Sequence, residues 1–206
     1  TAALAIAGYE PPASAKTETW NGTNWTEVND LNTARYSLAG AGTNTAALAF
    51  GGSQPPRAQT ETWNGTNWTE VNDLNSGKRY LAGCGTNTAA LKIGGNPPTA
   101  ETELWNGTNW TEVNDLNSAR FKLAAAGTST AALAFGGALG PGPVTAVTEL
   151  WNGTNWTETG DLNVGREGIA GAGTSATALA FGGNPTGAST EEWNSSATVS
   201  KTISTS

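Results

Sequence analysis

The chain of 206 residues contains no histidine, no methionine and a single cysteine, Cys84. Histidine is the side chain most often used for general acid–base catalysis, so its absence argues against most enzymatic mechanisms. Without histidine there is no Cys–His nucleophile and no histidine–cysteine cluster for zinc. We interpret Cys84 as a small buried apolar residue, because related segments of the chain have alanine at its position.

Charge and long apolar runs are also scarce. Charged residues make up 13% of the chain, and the formal net charge is −7. Binding of nucleic acid normally requires a basic surface, whereas the ten basic residues here are scattered, so we expect no nucleic-acid partner. No apolar run approaches the roughly 20 residues of a membrane-spanning helix, so we expect no membrane insertion. Because methionine is absent altogether, we expect the natural N-terminus to lie outside this sequence.

Repetition is what the chain has in abundance. The segment Thr17–Val28, TETWNGTNWTEV, returns almost unchanged at Thr60–Val71 and Thr102–Val113, again at Thr148–Thr159, and in altered form from Thr190. The first tryptophans of these copies are 43, 42, 46 and 42 residues apart. A fixed period of this length is typical of solenoids, arrays and propellers.

Each full unit contains four strand-like segments, which we call strands a, b, c and d. In one unit they are Arg35–Thr43, Thr45–Phe50, Thr60–Trp63 and Thr66–Val71. Strand a is rich in small residues, strand b is apolar and ends in Gly-Gly, and an Asn-Gly pair separates c from d. The pair predicts a two-residue hairpin turn in which Trp63 is opposite Thr66 and Glu61 is opposite Trp68.

The tryptophans of strands c and d share one face of this predicted hairpin. We interpret them as packing between neighbouring units; a platform for stacking sugars is the alternative. The set consists of Trp20, Trp25, Trp63, Trp68, Trp105, Trp110, Trp151, Trp156 and Trp193.

Four short antiparallel strands repeated radially describe the blade of a β-propeller. We therefore predict an all-β single domain, 1–206, that is a five-bladed β-propeller of four-stranded antiparallel blades. The blades are expected at about 1–31, 32–74, 75–116, 117–162 and 163–206. A parallel β-helix is the competing architecture, and the hairpin signals argue against it.

Strand a occurs four times, whereas strands b and c each occur five times. Either the first blade is incomplete or the chain is a fragment of something longer. A ring commonly closes when the C-terminal segment completes the N-terminal blade, which removes free sheet edges. The altered repeats at the two ends are typical of terminal units.

The order of these residues resembles the kelch repeat: Gly51-Gly52 after an apolar strand, Trp63, Trp68, and Arg79 opening the next unit. The resemblance implies a propeller with strand a innermost. The units here are shorter, and the first has Ala7-Gly8 in place of Gly-Gly. The segment NGTNWTEVNDLN also resembles kelch-like repeats in predicted structural proteins of marine bacteriophages and environmental sequences. This resemblance implies a virion or fibre component.

Alternating strand directions place the b–c and d–a loops on one face. The b–c loops differ in length and all contain proline, and loops on a rigid scaffold are where binding usually occurs. The d–a loops carry the candidate ligand-binding residues Asp30, Arg35, Asp73, Arg79, Asp115, Arg120, Asp161 and Arg166. The alternative is structural: aspartate can bond backbone amides in a turn, and arginine can pair with the loop carboxylate.

These observations predict a protein that binds and does not catalyse. We expect a structural or adhesive propeller on a virion or cell surface, without a cofactor or metal, whose partner is a protein or surface glycan. Self-association, or a place in a longer chain, is compatible with this. The alternative is a multivalent lectin with one weak site per blade. The residues that break the repeat form no constellation in the sequence; they are Tyr9, Glu10, Arg57, Lys78, Lys92, Glu101, Lys122 and Glu167.

Overall fold

A computed structural model describes residues 2–53 and 55–195 and the backbone of 201–203. Within these residues there are nineteen strands, arranged as five antiparallel sheets, and no helix. The predicted all-β, five-bladed propeller is therefore confirmed. The first blade has three strands and the other four blades have four strands each.

The strands follow one another in chain order. Blade 1 contains β1 (Ala3–Tyr9), β2 (Ala13–Trp20) and β3 (Trp25–Val28). Blade 2 contains β4 (Ala39–Gly42), β5 (Ala47–Phe50), β6 (Thr60–Trp63) and β7 (Trp68–Val71). Blade 3 contains β8 (Ala82–Gly85), β9 (Ala90–Ile93), β10 (Thr102–Trp105) and β11 (Trp110–Val113). Blade 4 contains β12 (Ala124–Gly127), β13 (Ala132–Phe135), β14 (Thr148–Trp151) and β15 (Trp156–Glu158). Blade 5 contains β16 (Ala170–Gly173), β17 (Thr177–Phe181), β18 (Thr190–Asn194) and β19 (Lys201–Ile203). The sequence predicts a fifth copy of strand d at 197–203, of which β19 covers 201–203 and the remainder lies outside the described residues.

The small-residue strands β4, β8, β12 and β16 are the inner strands of their blades. Each begins its sheet, and inner strands of successive blades contact one another from blade 2 to blade 5. Side chains near the axis of a ring have little room, which explains why these strands contain only alanine, glycine and one cysteine. Blade 1 begins directly at β1, the equivalent of strand b, and has no inner strand in the described part of the chain.

The c–d hairpins differ from the predicted register. Trp63 lies directly opposite Trp68, and Glu61 lies opposite Glu70. The Asn64 side chain is the reason, because its Oδ1 accepts the backbone N–H groups of Thr66 and Asn67, both at 2.9 Å. This bonding closes a four-residue loop in place of the predicted two-residue turn. The predicted register was therefore wrong by two residues. The centres of the two indole rings lie 5.4 Å apart, and the rings are tilted by 41° to each other.

Six tryptophans of blades 2, 3 and 4 are buried between neighbouring blades. Trp110 is typical: its ring lies 4.9 Å from Phe50 of the preceding blade, and its Nε1–H donates to Thr60 Oγ1 at 3.0 Å. Trp68 and Trp156 make the same bond to the preceding blade. The tryptophans of the end blades are less covered, and Trp25 is 48% exposed.

The inner strands are matched in size to the blade before them. A Cβ atom added to Gly83 would lie 2.6 Å from Cζ of Phe50, and one added to Gly171 would lie 2.5 Å from Cζ of Phe135. Between blades 3 and 4 the shorter Ile93 stands at the phenylalanine position, and Ala125 occupies the glycine position and packs against the same cluster. At these three interfaces a phenylalanine ring faces glycine and the shorter Ile93 faces alanine, whereas Ile6 of blade 1 lies beside Gly40 of blade 2.

Replacing Trp110 by alanine should lower the free energy of unfolding by about 3–5 kcal/mol, because a buried aromatic and its hydrogen bond are lost. Trp25→Ala is the matched control and should cost less than about 1 kcal/mol, since half of that ring is already in water. Denaturant melts of the two variants measure both values. Equal losses would contradict the assignment of Trp110 to a blade interface.

Gly83→Ala should destabilise the protein by about 1–3 kcal/mol, because the new methyl group overlaps the Phe50 ring. The same substitution should cost at least about 1 kcal/mol less in a Phe50→Ile background, which reproduces the Ile93–Ala125 arrangement of the next interface. Chemical unfolding of the four proteins in this cycle gives the coupling energy. A coupling energy of zero would show that Gly83 is required for another reason.

Candidate functional site

Three of the predicted arginines lie inside their blades. Arg35, Arg120 and Arg166 are fully buried and pair with glutamates of strand c in the same blade. The distances from guanidinium nitrogen to carboxylate oxygen are 2.8 Å to Glu61, 2.8 Å to Glu149 and 2.9 Å to Glu191. The carboxylate of the d–a loop, the partner suggested by the sequence, is not the one that the arginines bind.

The second oxygen of the buried carboxylate is also satisfied. Glu61 Oε2 accepts the backbone N–H and the side-chain Nδ2–H of Asn32, both at 2.8 Å. Arg35 also donates to the carbonyl oxygen of Ala49 at 3.3 Å. Loss of hydration lowers the pKa of Arg35, and the nearby Glu61 opposes that change. The pair therefore ties the start of the inner strand to the centre of the sheet.

In blade 3 the buried glutamate of strand c pairs with a lysine in place of the arginine. Backbone bonds show that Lys78, and not Arg79, occupies the arginine position: the Lys78 amide donates to Arg57 O, as the Arg35 amide donates to Ser14 O. The buried cation is Lys92 of β9, whose Nζ lies 3.6 Å from Glu103 Oε1 and 3.4 Å from Glu101 Oε2. Burial lowers the pKa of Lys92, and the two glutamates oppose that change. The sister blades have alanine where Lys92 stands.

The four predicted aspartates hold the d–a loops against the start of strand c. One carboxylate oxygen of each accepts a backbone N–H of strand c; the donors are Thr17, Thr60, Thr102 and Thr148, for Asp30, Asp73, Asp115 and Asp161 respectively. The aspartates are exposed and Arg79 is half-buried, whereas Arg35, Arg120 and Arg166 have no surface available to a ligand. A role of the eight residues in ligand binding stays a prediction.

Two positions immediately after the arginine position differ in every blade. They hold Tyr36-Ser37 in blade 2, Arg79-Tyr80 in blade 3, Phe121-Lys122 in blade 4 and Glu167-Gly168 in blade 5. These eight residues, together with Tyr9, are called the rim below. The first residue of each pair forms a bridge to the start of the b–c loop of its own blade, so the rim lies on the b–c face.

The backbone of the rim is constant although its side chains are not. The second residue of each pair has a positive φ, with values of 56° at Ser37, 54° at Tyr80, 53° at Lys122 and 63° at Gly168. Such angles are uncommon for residues other than glycine. Here the N–H groups of Tyr80, Lys122 and Gly168 donate to the carbonyl oxygens of their counterparts in the preceding blade, at 2.9, 2.7 and 2.8 Å, and Ser37 accepts the first of these bonds. A chain of hydrogen bonds thus runs around the axis and holds four different side chains in the same place.

The contacts among the rim side chains form two groups, one of aromatic and charged residues and one of two tyrosines. Lys122 Nζ lies 5.5 Å from the Tyr80 ring centre, 5.9 Å from that of Phe121 and 2.8 Å from Glu167 Oε1. The ring of Tyr9 lies 4.8 Å from that of Tyr36, which belongs to the next blade. Aromatic faces beside cations can recognise apolar and carbonyl-bearing groups, so the chemistry of the rim is that of recognition.

Other kinds of site have little support among the residues described. No group of three or more histidine, cysteine, aspartate or glutamate side chains there is arranged to hold a metal ion. Burial raises the pKa of the Cys84 thiol to about 12, so it remains protonated and unreactive at neutral pH. No helix in the part of the chain that the structure describes could cross a membrane.

Comparison with protein-family models gave no match, and no curated protein was found to be similar. The functional argument therefore depends on the residues themselves. Sequence reasoning recognised Lys122 and Glu167 as exceptions to the repeat but missed Tyr36, Tyr80 and Phe121. Aligning the four d–a loops would have identified them, because two adjacent columns contain four different residues while the flanking columns are nearly constant.

Lys92→Ala should destabilise the protein by about 3–5 kcal/mol, because Glu103 would remain buried without a cation. Adding Lys78→Arg should recover most of this loss, because in the sister blades an arginine at the position of Lys78 pairs with the glutamate equivalent to Glu103. Thermal and denaturant unfolding of the single and double variants measure the recovery. An equally unstable double variant would show that Lys78 does not occupy the position of Arg35.

Proposed function

We propose that this protein is a non-enzymatic binding module that recognises another protein through the rim. Its place would be the surface of a virion or a cell, where a rigid ring presents one face to a partner. The resemblance to kelch repeats and to kelch-like repeats in predicted structural proteins of marine bacteriophages supports this proposal. The acidic composition and the absence of histidine are compatible with it.

The observation that carries the proposal is that the rim has a different pair of side chains in each blade on a backbone that repeats. Neighbouring blades have nearly the same sequence, and the backbone of the rim repeats with the same positive φ and the same inter-blade hydrogen bonds. Packing therefore does not require Tyr, Arg, Phe and Glu at the four first positions. Side chains that differ on a constant, rigid backbone are typical of a recognition surface.

The composition of the rim favours a protein as the partner. Tyrosine, phenylalanine and arginine are enriched in protein–protein interfaces because they bury large areas and still form polar contacts. The half-buried rings of Tyr36, Tyr80 and Phe121 are held from below by the ring of backbone bonds. They can therefore enter an interface with little loss of conformational freedom.

A multivalent lectin is the alternative, and tryptophan burial bears on it directly. One weak site per blade would need an exposed aromatic platform in every blade. The tryptophans of blades 2, 3 and 4 are instead covered by their neighbours, and Trp25 is the one with half of its ring exposed among those described. Protein recognition through the rim is therefore the better-supported function.

A photo-crosslinking amino acid at position 121 should capture a discrete protein partner in the particles or cells that carry this protein. The same amino acid at exposed Thr130, on the opposite face, is the matched control and should capture none. A Tyr36→Ser, Tyr80→Ser, Phe121→Ser variant should lose at least about tenfold in affinity for the captured partner without a change in fold. Mass spectrometry of the adducts and titration of the purified partner provide these measurements.

Two outcomes would contradict the proposal. Capture at position 130 with none at 121 would move the site to the other face. Binding of the wild-type protein to a glycan array that persists in the rim variant, with no protein adduct, would favour the lectin.

A further inference from the structure

Arg79 is the rim cation that has no carboxylate partner among the residues the structure describes. Lys78, the residue before it, pairs with Glu101 at 3.3 Å, and Lys122 pairs with Glu167 at 2.8 Å. The half-buried Arg79 side chain makes one hydrogen bond within the same residues, from Nε to Asn96 Oδ1 at 3.4 Å. Its two Nη groups are therefore available to a ligand.

The Arg79 side chain is held in place from two sides. The backbone of Arg79 and that of Asn96 exchange two hydrogen bonds, of 2.7 and 3.3 Å. The guanidinium carbon lies 5.4 Å from the centre of the Tyr80 ring. A guanidinium offers two parallel N–H donors, which match the two oxygens of a carboxylate. Because the group is already positioned, binding a carboxylate costs little conformational freedom.

A second cation lies against the same ring. Lys122 Nζ is 5.5 Å from the centre of the Tyr80 ring, so both positive charges occupy one small area of the rim. Glu167 offsets one of them, and one positive charge remains there in a protein whose formal net charge is −7. The Lys122 ammonium has three donors, of which Glu167 accepts one. An anion that binds here would contact donors from two blades and the Tyr80 ring beside them.

Apolar surface lies next to these cations. The ring centres of Tyr80 and Phe121 are 6.4 Å apart. The backbone of Phe121 exchanges hydrogen bonds of 2.8 and 3.1 Å with that of Ala138, and the following residue, Leu139, is 44% exposed. A ligand that binds the cations can therefore also bury an apolar side chain against Phe121 and Leu139.

We propose that Arg79, Tyr80 and Lys122 form a carboxylate-binding site of the rim, whose ligand is a carboxylate next to an aliphatic or aromatic residue in the partner protein. The carboxylate accepts hydrogen bonds from both Nη groups of Arg79, and Lys122 balances its charge. The apolar neighbour packs against Phe121 and Leu139. This site rests on the proposed function, because the rim is the surface assigned there to the partner.

A basic segment is the competing ligand, because four exposed aspartates lie in the d–a loops of the same face. Each aspartate already accepts a backbone N–H at the start of strand c, whereas Arg79 has donors to spare. Charge complementarity at Arg79 and Lys122 therefore favours the acidic ligand. The experiment below discriminates between ligands of the two signs.

Selection from a library of short random peptides, fused at their C-termini to a carrier, tests the site directly. Peptides selected on the wild-type protein at physiological salt should carry an aspartate or glutamate next to an aliphatic or aromatic residue. Selection on an Arg79→Gln protein should lose this preference, and circular dichroism checks that the variant is folded. Lys16→Gln is the matched control: it removes an exposed cation of blade 1, so the preference should remain.

The tightest selected peptide, acetylated and amidated, then measures the contribution of each group by calorimetric titration. Replacing its acidic residue by the matching amide should weaken binding to the wild-type protein at least about tenfold, because charge-assisted hydrogen bonds are lost. In the Arg79→Gln protein the two peptides should bind alike. In a Lys122→Gln, Glu167→Gln protein, whose net charge is unchanged, only the acidic peptide should bind more weakly. A version that ends at the amide residue with a free C-terminal carboxylate separates a terminal carboxylate from a side-chain one.

Selection of no peptide, or of neutral or basic peptides, would overturn the carboxylate site. An acidic peptide that binds the Arg79→Gln protein as tightly as the wild type would also overturn it. The proposed function is judged separately, by crosslinking at position 121. A protein adduct there without an acidic peptide would keep the rim as an interface and remove this site, whereas Arg79-dependent peptide binding without a protein adduct would do the reverse.

Discussion

The buried ion pair of the strand-c glutamate is the interaction on which each complete blade depends; its cation is an arginine before the inner strand in blades 2, 4 and 5, and Lys92 of strand b in blade 3. A carboxylate in the middle of a sheet is stable only with a cation and further hydrogen bonds. Glu61 has both, from Arg35 and Asn32, and these partners fix the path of the d–a loop. Since the arginine enters from the start of the inner strand, the pair also determines where the chain turns towards the axis.

The rim follows from this arrangement. The two residues after the buried arginine lie on the b–c face of the ring, before the inner strand begins. Backbone bonds to a neighbouring blade, donated by Tyr80 and Lys122 and accepted by Ser37, help to compensate the unfavourable positive φ of these three residues, while Gly168 adopts that φ readily. The side chains there contribute little to blade packing and are consequently free to differ.

The sequence was sufficient for the architecture and insufficient for several details. Repeat spacing, the Gly-Gly ends of strand b and the Asn-Gly pairs predicted five antiparallel blades, because turns and periodicity are local properties. The hairpin register was missed because the Asn64 side chain competes with the backbone for amides. Adjacent Lys78 and Arg79 gave no indication of which one enters the blade. The rim was missed because Tyr36, Tyr80 and Phe121 are about 40 residues apart in the chain and become neighbours only in the ring.

The size matching between inner strands and preceding blades has a consequence for how such a protein can change. Units of nearly the same sequence can be exchanged or deleted by recombination. Ala125 of blade 4, however, packs near the short Ile93 of blade 3. Gly83 of blade 3 instead leaves room for the full ring of Phe50 of blade 2. Deletion of blade 3 by recombination would bring Phe50 against Ala125 and crowd the joint. Steric fit at these interfaces therefore restricts which blades can be neighbours, although the blades are nearly identical in sequence.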